Sequence, residues 1–330
     1  MSIENDKNKD YKSYLQQKHS GFGVETRTLE SALQTGLGLS VVGSSRIVAG
    51  ENNEVYDITT EQGSFIIRFS RSSKTRFQTE KWALDEIEKK GISAPRMLFI
   101  SEIEDKGEEL KFCIESKVPG IVLSELLELG QLTSDQIDGI NFQAGTVLAQ
   151  IHSIIPQDFG KFAEPGAGKY TSWRNFILKY SQNKREETVA LAGKAGISRE
   201  QIDHAINILE NHEDVYEDVK PHLLHFEFTP KHILVDNSKF SGIIDFENCM
   251  SGDPLYDLAW SGYFDWDSQP LRDGYASISP LPTDYLTTRK LYGLRIGLDL
   301  VRWFALENHI IGMAHSKVKM EENISYFQDK

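Results

Sequence analysis

The sequence predicts an α+β protein of two lobes, in which a small antiparallel sheet with one helix precedes a mainly helical part. Short alternating strand patterns, separated by turn-prone residues, fill the region from Ser44 to Glu115. Beyond Val118-Pro119-Gly120 the apolar residues recur mostly at helical spacing. The chain has 330 residues, which is too long for one simple core and long enough for two.

The first lobe is predicted at residues 41–117, after a polar tail and a helix in residues 1–40. Residues 1–12 are rich in Asn, Asp and Lys, which is typical of disorder, and a helix is expected from Tyr14 to Gln34. The lobe itself is expected to contain five strands, Arg46–Ala49, Glu54–Thr60, Ser64–Ser70, Arg96–Ile100 and Leu110–Glu115, and one helix, Thr75–Lys90.

The second lobe is predicted at residues 118–330 and is mainly helical. Two short apolar strands with tight loops interrupt the helices between His225 and Glu247. The expected helices are Thr133–Ile155, Thr171–Val189, Ser198–Asn211 and Asp284–Ile311.

Charge and composition narrow the class of function. The formal net charge is −13, so binding to a nucleic-acid backbone is not expected, whereas a cationic small substrate would be favoured; simple solubility explains the same charge. Only two cysteines are present, and no apolar run approaches the roughly 20 residues that cross a bilayer. We expect a cytoplasmic protein without membrane segments, as a monomer or a homodimer.

The stretch from His225 to Glu247 is the strongest candidate for chemistry. Glu227 and Asp245 lie 18 positions apart, and the pattern between them predicts a hairpin, which would fold both carboxylates onto one site. One carboxylate suits the handling of a hydroxyl proton and the other suits a metal ion. A zinc site at His222, His225 and Glu227 is disfavoured, because the segment is extended and no further ligand follows at a known zinc spacing.

A basic residue in a predicted strand offers a second candidate site. Arg68 stands in an otherwise apolar strand, and Glu80 lies on or beside the inward face of the next helix. The pair satisfies a buried charge and leaves Arg68 donors that reach a phosphate; an ion pair that only joins strand to helix remains an equal alternative. The turn at Gly50–Tyr56 would cover a nucleotide, although a plain hairpin turn is commoner.

Together these pieces resemble the aminoglycoside phosphotransferase family, which has a protein-kinase-like fold shared with choline and macrolide kinases. The resemblance runs from about Ser44 to Trp260. It rests on an ordered set of positions: the turn Gly50–Val55, Arg68, Glu80, a hinge near Ser116–Gly120, His225, His232, Asp245, Gly252-Asp253-Pro254 and Asp257.

The resemblance implies roles for these positions. Arg68, braced by Glu80, would hold the α- and β-phosphates, and Asp245 with His232 would bind Mg²⁺. Asp257 would brace the catalytic loop. The remaining contacts to the nucleotide would come from Asn52, Asn53, Ser116 and Val118.

Two positions depart from the family pattern. Glu227 stands where the family has an aspartate base, and His232 stands where it has an asparagine. Histidine at that position resembles aminoglycoside 2″-phosphotransferases and macrolide kinases, which often favour GTP, so ATP and GTP both remain open. Phe226 replaces the usual glycine or small polar residue.

We therefore expect a kinase that transfers the γ-phosphoryl group of ATP or GTP, with Mg²⁺, to a hydroxyl of an aminoglycoside or other amino-bearing antibiotic, with Glu227 as the base. Glu247, Asp265 and Asp267 are candidates for the acceptor site, although a solvated acidic surface explains the same residues. The alternatives are a metabolic kinase of a sugar, a choline-like alcohol or an amino alcohol, and a weak pseudokinase that binds nucleotide.

Overall fold

The structure, a computed structural model, describes residues 15–17, 19–21, 23–48 and 53–328. The disordered stretch 1–12, the nucleotide contact at Asn52 and the start of the predicted turn Gly50–Tyr56 lie outside these residues. The described chain divides into two compact units. The first comprises the residues up to Glu88 together with Ser93–Val118, and the second comprises Lys89–Ile92 and the chain from Pro119 onward.

The first unit is built on a five-stranded antiparallel sheet in the order β1-β2-β3-β5-β4. Its strands are β1 (Gly43–Ile47), β2 (Glu54–Thr60), β3 (Gly63–Ser70), β4 (Met97–Asp105) and β5 (Glu108–Ser116). Its described part includes the helices α1 (Thr26–Leu37) and α2 (Phe77–Lys89) and a short 3₁₀ turn at His19–Gly21.

Helix α1 differs from the prediction, which placed it outside the first lobe and gave that lobe a single helix. Leu29 and Leu33 of α1 are buried in one apolar cluster with Ile58 and Phe112 of the sheet. An apolar sheet face must be covered, and the amphipathic helix covers it. The helix is also shorter than predicted, because Gly23 has a φ of 142° and residues 23–25 are not helical.

The second unit contains most of the helices. They are α3 (Leu123–Glu128), α4 (Ser134–Ile151), α5 (Tyr180–Asn183), α6 (Arg185–Ala192), α7 (Arg199–Asn211), α8 (Leu255–Tyr263), α9 (Gln269–Ala276), α10 (Tyr285–Leu306) and α11 (Ile310–Gln328). One π-helical segment, Asn175–Lys179, precedes α5, and short 3₁₀ turns lie at Gly193–Ala195, Glu213–Tyr216 and Pro230–His232. No helix in the described part of the chain is both long and apolar enough to cross a membrane.

Two small sheets complete the second unit. One has the order β11-β10-β6 and the other the order β8-β7-β12-β9. Their strands are β6 (Ile121–Val122), β7 (Phe159–Glu164), β8 (Ala167–Tyr170), β9 (His222–Leu224), β10 (Ile233–Asp236), β11 (Lys239–Ile243) and β12 (Met250–Gly252).

Some predicted helices of this unit were wrong in extent. The helix expected over Thr171–Val189 is broken into the π-helical segment, α5 and α6. The tail holds two helices rather than one, since Asn308 between them has a φ of 53°. The hairpin β7–β8 was not predicted; it turns at Gly166, whose φ of 72° favours glycine.

The predicted hairpin between the two candidate carboxylates is present. Strands β10 and β11 pair antiparallel, with Ile233 opposite Ile243. Glu227 precedes the first strand and Asp245 follows the second, so the pairing returns the chain to the place where it entered.

Candidate active site

Three side chains meet at the open end of the β10–β11 hairpin. Glu227, His232 and Asp245 each offer one ligand atom, and these atoms all lie within 4.8 Å of one another. All three residues are half-buried. His232 Nε2 lies 3.4 Å from Asp245 Oδ2. The two acids predicted to converge are therefore together, with the histidine between the two loops that carry them.

Asp257 of α8 holds the loop that carries Glu227. Its two carboxylate oxygens each accept a backbone N–H at 2.7 Å, one from His225 and one from Phe226. Asp257 is fully buried, and His152 contacts it through Nε2 at 3.1 Å. The resemblance implied this bracing role, and the hydrogen bonds agree with it. The loop backbone is thus held at two successive residues, which limits where Glu227 can lie.

His152 lies in the core and not at a ligand site. Its Nδ1 is 2.9 Å from the hydroxyl of Tyr275, so both ring nitrogens are engaged by buried groups. These two contacts satisfy the histidine within the core. Tyr275, His152 and Asp257 form a buried chain of polar contacts that ends at the loop that carries Glu227.

His225 joins the two loops of the site. Its Nε2 contacts the carbonyl oxygen of Ile244 at 2.9 Å, next to Asp245, and its ring stacks on that of His232 at 5.6 Å. Burial and the nearby His232 lower the pKa of His225 to about 4. The ring is therefore neutral near pH 7 and donates its Nε2 proton to the carbonyl.

Phe226 is accommodated by aromatic packing. Its ring lies 4.8 Å from Trp260 and stacks on Tyr256 at 6.1 Å, both on α8. Its φ of 74° lies in the left-handed region, where a side chain costs energy and glycine does not. The ring does not displace Glu227 from the site, since it turns toward α8.

Two residues near Glu227 were missed by the sequence-based prediction. Asn248 and the charge of Lys161 on β7 both act on the Glu227 carboxylate and lower its pKa. Lys161 Nζ lies 5.3 Å from the centre of the Phe226 ring and 3.4 Å from Asn248 Oδ1. Asn248 could have been predicted, because it follows Asp245 by only three positions. Lys161 could not, because nothing near it in the sequence indicates a site.

The electrostatics of the site raise the pKa of Glu227 above that of an ordinary carboxylate. Burial and then the charge of Asp245 raise the pKa of Glu227, against the opposing effects of His232, Lys161 and Asn248. A carboxyl with a raised pKa is a stronger base when ionised, as general-base catalysis requires.

The donor set fits a divalent metal ion. Oxygen ligands at about 2.1 Å from an octahedral Mg²⁺ lie about 3 Å apart as neighbours and about 4.2 Å apart when opposite. The spacing within 4.8 Å matches this after small side-chain movements. His232 Nδ1 contacts the backbone carbonyl of Glu227 at 2.7 Å, which leaves Nε2 as the atom directed at Asp245. A ring nitrogen anchored to a carbonyl is the usual support of a metal-binding histidine.

In the first unit Arg68 is paired with two acids rather than one. Its Nη2 lies 2.6 Å from Glu80 and 2.5 Å from Glu115, and all three side chains are buried. Burial opposes the charge on Arg68, but Glu115 and Glu80 outweigh it and hold the pKa of Arg68 well above its usual value. Phe77 adds a ring face 5.4 Å from the guanidinium. The predicted pair with Glu80 is present; Glu115 was missed.

The other predicted nucleotide contacts are placed as follows. The N–H of Ser116 donates to the carbonyl of Arg96 at 2.9 Å, and its hydroxyl accepts from the N–H of Arg96 at 2.8 Å. The Ser116 amide is therefore already used within the first unit. Val118 is half-buried at the end of that unit, and Asn53 is buried at the start of β2.

The three acids predicted to bind the acceptor do not lie together: two line one cavity and the third does not. Asp265 and Asp267 line a cavity of about 370 Å³ in the second unit. Asp267 is bound by Arg272 at 2.7 Å and by Arg289, and Asp265 is bound by Lys319 at 2.5 Å. These ion pairs neutralise both acids. Glu247 is half-buried two residues after Asp245 and does not line that cavity.

Comparisons with known proteins agree on one family. A family model described as "Phosphotransferase enzyme family" matches residues 44–284. The chain is similar to the hygromycin-B 4-O-kinase of Escherichia coli, with 23% identity over 276 residues, which is 79% of this chain and 74% of that protein. The predicted resemblance to aminoglycoside phosphotransferases is confirmed.

Solved structures confirm the predicted fold. A complex of a thermostable APH(4)-Ia variant with ADP and hygromycin B matches with a TM-score of 0.72 at 20% identity, covering 90% of this chain and 98% of that one. APH(2″)-IIia with GDP and kanamycin matches with a TM-score of 0.65 at 18% identity, covering 90% and 98%. A fructosamine-3-kinase from Haemophilus somnus gives 0.62 at 18% identity, covering 90% and 97%. The chain thus has the α+β, two-lobed, kinase-like fold.

Proposed function

Since the chain belongs to the phosphotransferase enzyme family, we propose that it transfers the γ-phosphoryl group of ATP or GTP to a hydroxyl of an aminoglycoside or another amino-bearing antibiotic. The observation that carries the proposal is the convergence of Glu227, His232 and Asp245, with the loop of Glu227 braced by Asp257. The similarity to a hygromycin-B kinase supports the choice of acceptor, and complexes of relatives with ADP and GDP support the nucleotide.

In this proposal each residue has a distinct task. Glu227 orients the acceptor hydroxyl and takes its proton as the phosphoryl group is transferred. His232 and Asp245 hold Mg²⁺, which when bound offsets the negative charge of the phosphates. Arg68, positioned by Glu80 and Glu115, directs its charge at the phosphates. The protein contributes position and electrostatics, which are the main requirements of phosphoryl transfer.

A second candidate is a kinase of a sugar, a choline-like alcohol or an amino alcohol. The specific observation that favours it is the neutralisation of Asp265 and Asp267 by Lys319, Arg272 and Arg289. A site for a polycationic antibiotic is expected to hold carboxylates that are not paired with cations of the protein, so that they can bind the ligand's amino groups. The substrate role of Asp265 and Asp267 therefore needs a direct test: Asp267→Asn should raise KM with kcat kept if the acid binds the acceptor.

The function is tested by incubating the full chain with ATP or GTP, Mg²⁺ and a panel of acceptors. The panel holds hygromycin B, kanamycin, a macrolide, simple sugars and choline, and mass spectrometry detects one added phosphoryl group. We expect an antibiotic to gain that group, and Asp245→Asn to abolish the gain. Exclusive phosphorylation of a sugar or choline establishes the second candidate. A pseudokinase would bind nucleotide, modify no acceptor, and stay silent after Glu227→Asp.

A further inference from the structure

We propose that the cavity lined by Lys290 and Asn323 is a binding site for a small molecule that carries one carboxylate group. The cavity measures about 370 Å³, and its walls come mainly from helices α8, α10 and α11 of the second unit. None of the residues that line it belongs to the cluster of Glu227, His232 and Asp245. The proposal therefore goes beyond the proposed function and does not depend on it.

Lys290 of α10 is the cation that binds the carboxylate in this proposal. It is half-buried, and within the described part of the chain it makes no ion pair and no hydrogen bond. Burial and then the charge of Arg289 lower the pKa of Lys290, and Lys319 acts in the same direction, whereas Glu322 opposes them. A half-buried ammonium group that lies near two other cations is stabilised when an anion binds beside it.

Asn323 of α11 contributes a second polar group to the same cavity. It is only 6% exposed, and the surface that it keeps lines the cavity. Its amide has no hydrogen-bond partner among the residues that the structure describes. Burial of an amide without a partner is costly, and a ligand in the cavity supplies the missing partner. Nδ2 of Asn323 is a donor and can bind a carboxylate oxygen.

A glycine on α10 brings these two groups together. Gly293 follows Lys290 by three positions, so the two residues share one face of the helix. A Cβ on Gly293 would lie 2.7 Å from Nδ2 of Asn323. The absence of a side chain there lets the amide of Asn323 lie against α10, one turn from Lys290. The ammonium and amide donors can therefore bind the same carboxylate.

The charges around the cavity favour a ligand with one negative charge. Each carboxylate that lines the cavity is already paired with a cation of the protein, so none is left to bind an amino group. Four cations and three acids leave a net charge of +1, and among the described residues of this group Lys290 is the one without an ion pair. The group consists of Arg272, Arg289, Lys290, Lys319, Asp265, Asp267 and Glu322. A carboxylate carries one charge near pH 7, whereas a phosphate monoester carries nearly two.

Isothermal titration calorimetry of the full chain at low salt tests the site, with glucuronate as the carboxylate probe and glucose as its uncharged counterpart. We expect one glucuronate per chain with a Kd of about 1 mM, and binding of glucose that is weaker by about tenfold or more. Lys290→Met should weaken the binding of glucuronate about tenfold, whereas Lys290→Arg keeps the charge and should keep most of the affinity. Asn323→Asp keeps the shape of the side chain but brings a negative charge to the ligand, and should also weaken binding by about tenfold.

The matched control is Lys317→Met on α11. Lys317 is likewise half-buried and makes no ion pair with a described residue, but it does not line the cavity. Its replacement should leave the binding of glucuronate unchanged. Circular dichroism establishes that each variant is folded.

Three results would overturn the proposal: no binding heat with glucuronate up to about 10 mM, equal affinity for glucose and glucuronate, or an unchanged affinity in Lys290→Met. Tighter binding of glucose 6-phosphate than of glucuronate would overturn the choice of a carboxylate, since it would assign the site to a phosphate. No nucleotide is present in the titration, so a failed kinase assay leaves its outcome intact, and a failed titration leaves the kinase assay intact.

Discussion

At the residue scale, Phe226 combines a backbone conformation that suits glycine with a ring that the core requires. Its φ is 74°, and its ring is packed between Tyr256 and Trp260. Local conformation and packing thus make opposite demands on one position. The packing prevails because burial of a phenylalanine ring is worth about 3–5 kcal/mol, whereas the left-handed conformation costs about 1–2 kcal/mol.

This conflict predicts an inverted order of two variants. Phe226→Ala loses the ring and keeps the strained backbone, and should lower the free energy of unfolding by about 3 kcal/mol. Phe226→Gly loses the same ring but relieves the strain, and should be about 1 kcal/mol more stable than Phe226→Ala. Urea unfolding of both variants measures the difference. At a position with a negative φ, the glycine variant is normally less stable than the alanine variant. If Phe226→Gly were likewise less stable than Phe226→Ala, the backbone strain inferred at Phe226 would be contradicted.

The partners of Arg68 that were predicted and missed differ in how far along the chain they lie from it. Glu80 was predicted from Arg68 because strand and following helix are neighbours along the chain. Glu115 was missed because it meets Arg68 through the pairing of β3 with β5, in which Arg68 lies opposite Cys113. Sequence periodicity shows which side chains share a face of one strand, but not which strand will lie beside it.

At the scale of elements, helix α1 begins against an acid from a distant strand. The side chain of Glu25, the residue before the helix, does not cap the helix. Asp105 at the end of β4 supplies the cap: its Oδ1 accepts the N–H of Glu25 at 3.0 Å and the hydroxyl of Thr28 at 2.6 Å. A buried anion at a helix start satisfies exposed N–H groups and favours the helix dipole.

Removal of this cap should destabilise the first unit in a pH-dependent way. Burial opposes ionisation, but the hydrogen bonds from Thr28 and Glu25 hold the pKa of Asp105 below its usual value. The stabilising contribution is thus complete above the unfolded pKa, near 4, and is lost as pH falls through the lower folded pKa. Asp105→Ala should cost about 2 kcal/mol at pH 7.

Thermal unfolding of the wild type and of Asp105→Ala between pH 7 and pH 2 measures this contribution. Their difference should shrink below pH 4. A difference that stays constant with pH would show that the cap acts through packing and not through its charge.

Helices α4 and α9 show a second long-range dependence, since they touch through glycines. A Cβ on Gly145 of α4 would lie 2.0 Å from the carbonyl oxygen of Leu271, and one on Gly274 of α9 would lie 1.9 Å from that of Phe142. Backbone atoms cannot yield as a flexible side chain does. Either glycine replaced by alanine must push the helices apart.

Gly145→Ala and Gly274→Ala should each lower the free energy of unfolding by about 1–3 kcal/mol. Gly139→Ala is the matched control on the same helix α4, because a Cβ there meets nothing within 4 Å. It should raise stability by up to about 1 kcal/mol through helix propensity. Urea unfolding compares the three variants; a neutral Gly145→Ala would show that the helices do not pack as closely as described.

At the scale of the whole molecule, the order of local patterns along the chain was sufficient to predict the fold class and the pairing of Glu227 with Asp245. Each of those patterns is carried by residues close in sequence. The hairpin β7–β8 was missed because its strands are short, and Lys161 was missed with it. The broken helix near Asn175 likewise depends on tertiary packing, which overrides the helical periodicity that suggested one continuous element.

The net charge of −13 bears on the acceptor, and leads to a final prediction. If an acidic protein attracts a polycationic acceptor through its overall field, salt must weaken that attraction, because the Debye length falls from about 10 Å at 0.1 M to about 3 Å at 1 M. Between 0.1 M and 1 M salt, the KM for an aminoglycoside should rise several-fold while kcat stays unchanged. An uncharged sugar acceptor is the control and should show little change. Equal salt dependence for both acceptors would mean that the charge serves solubility alone, and that the acceptor is recognised by short-range contacts.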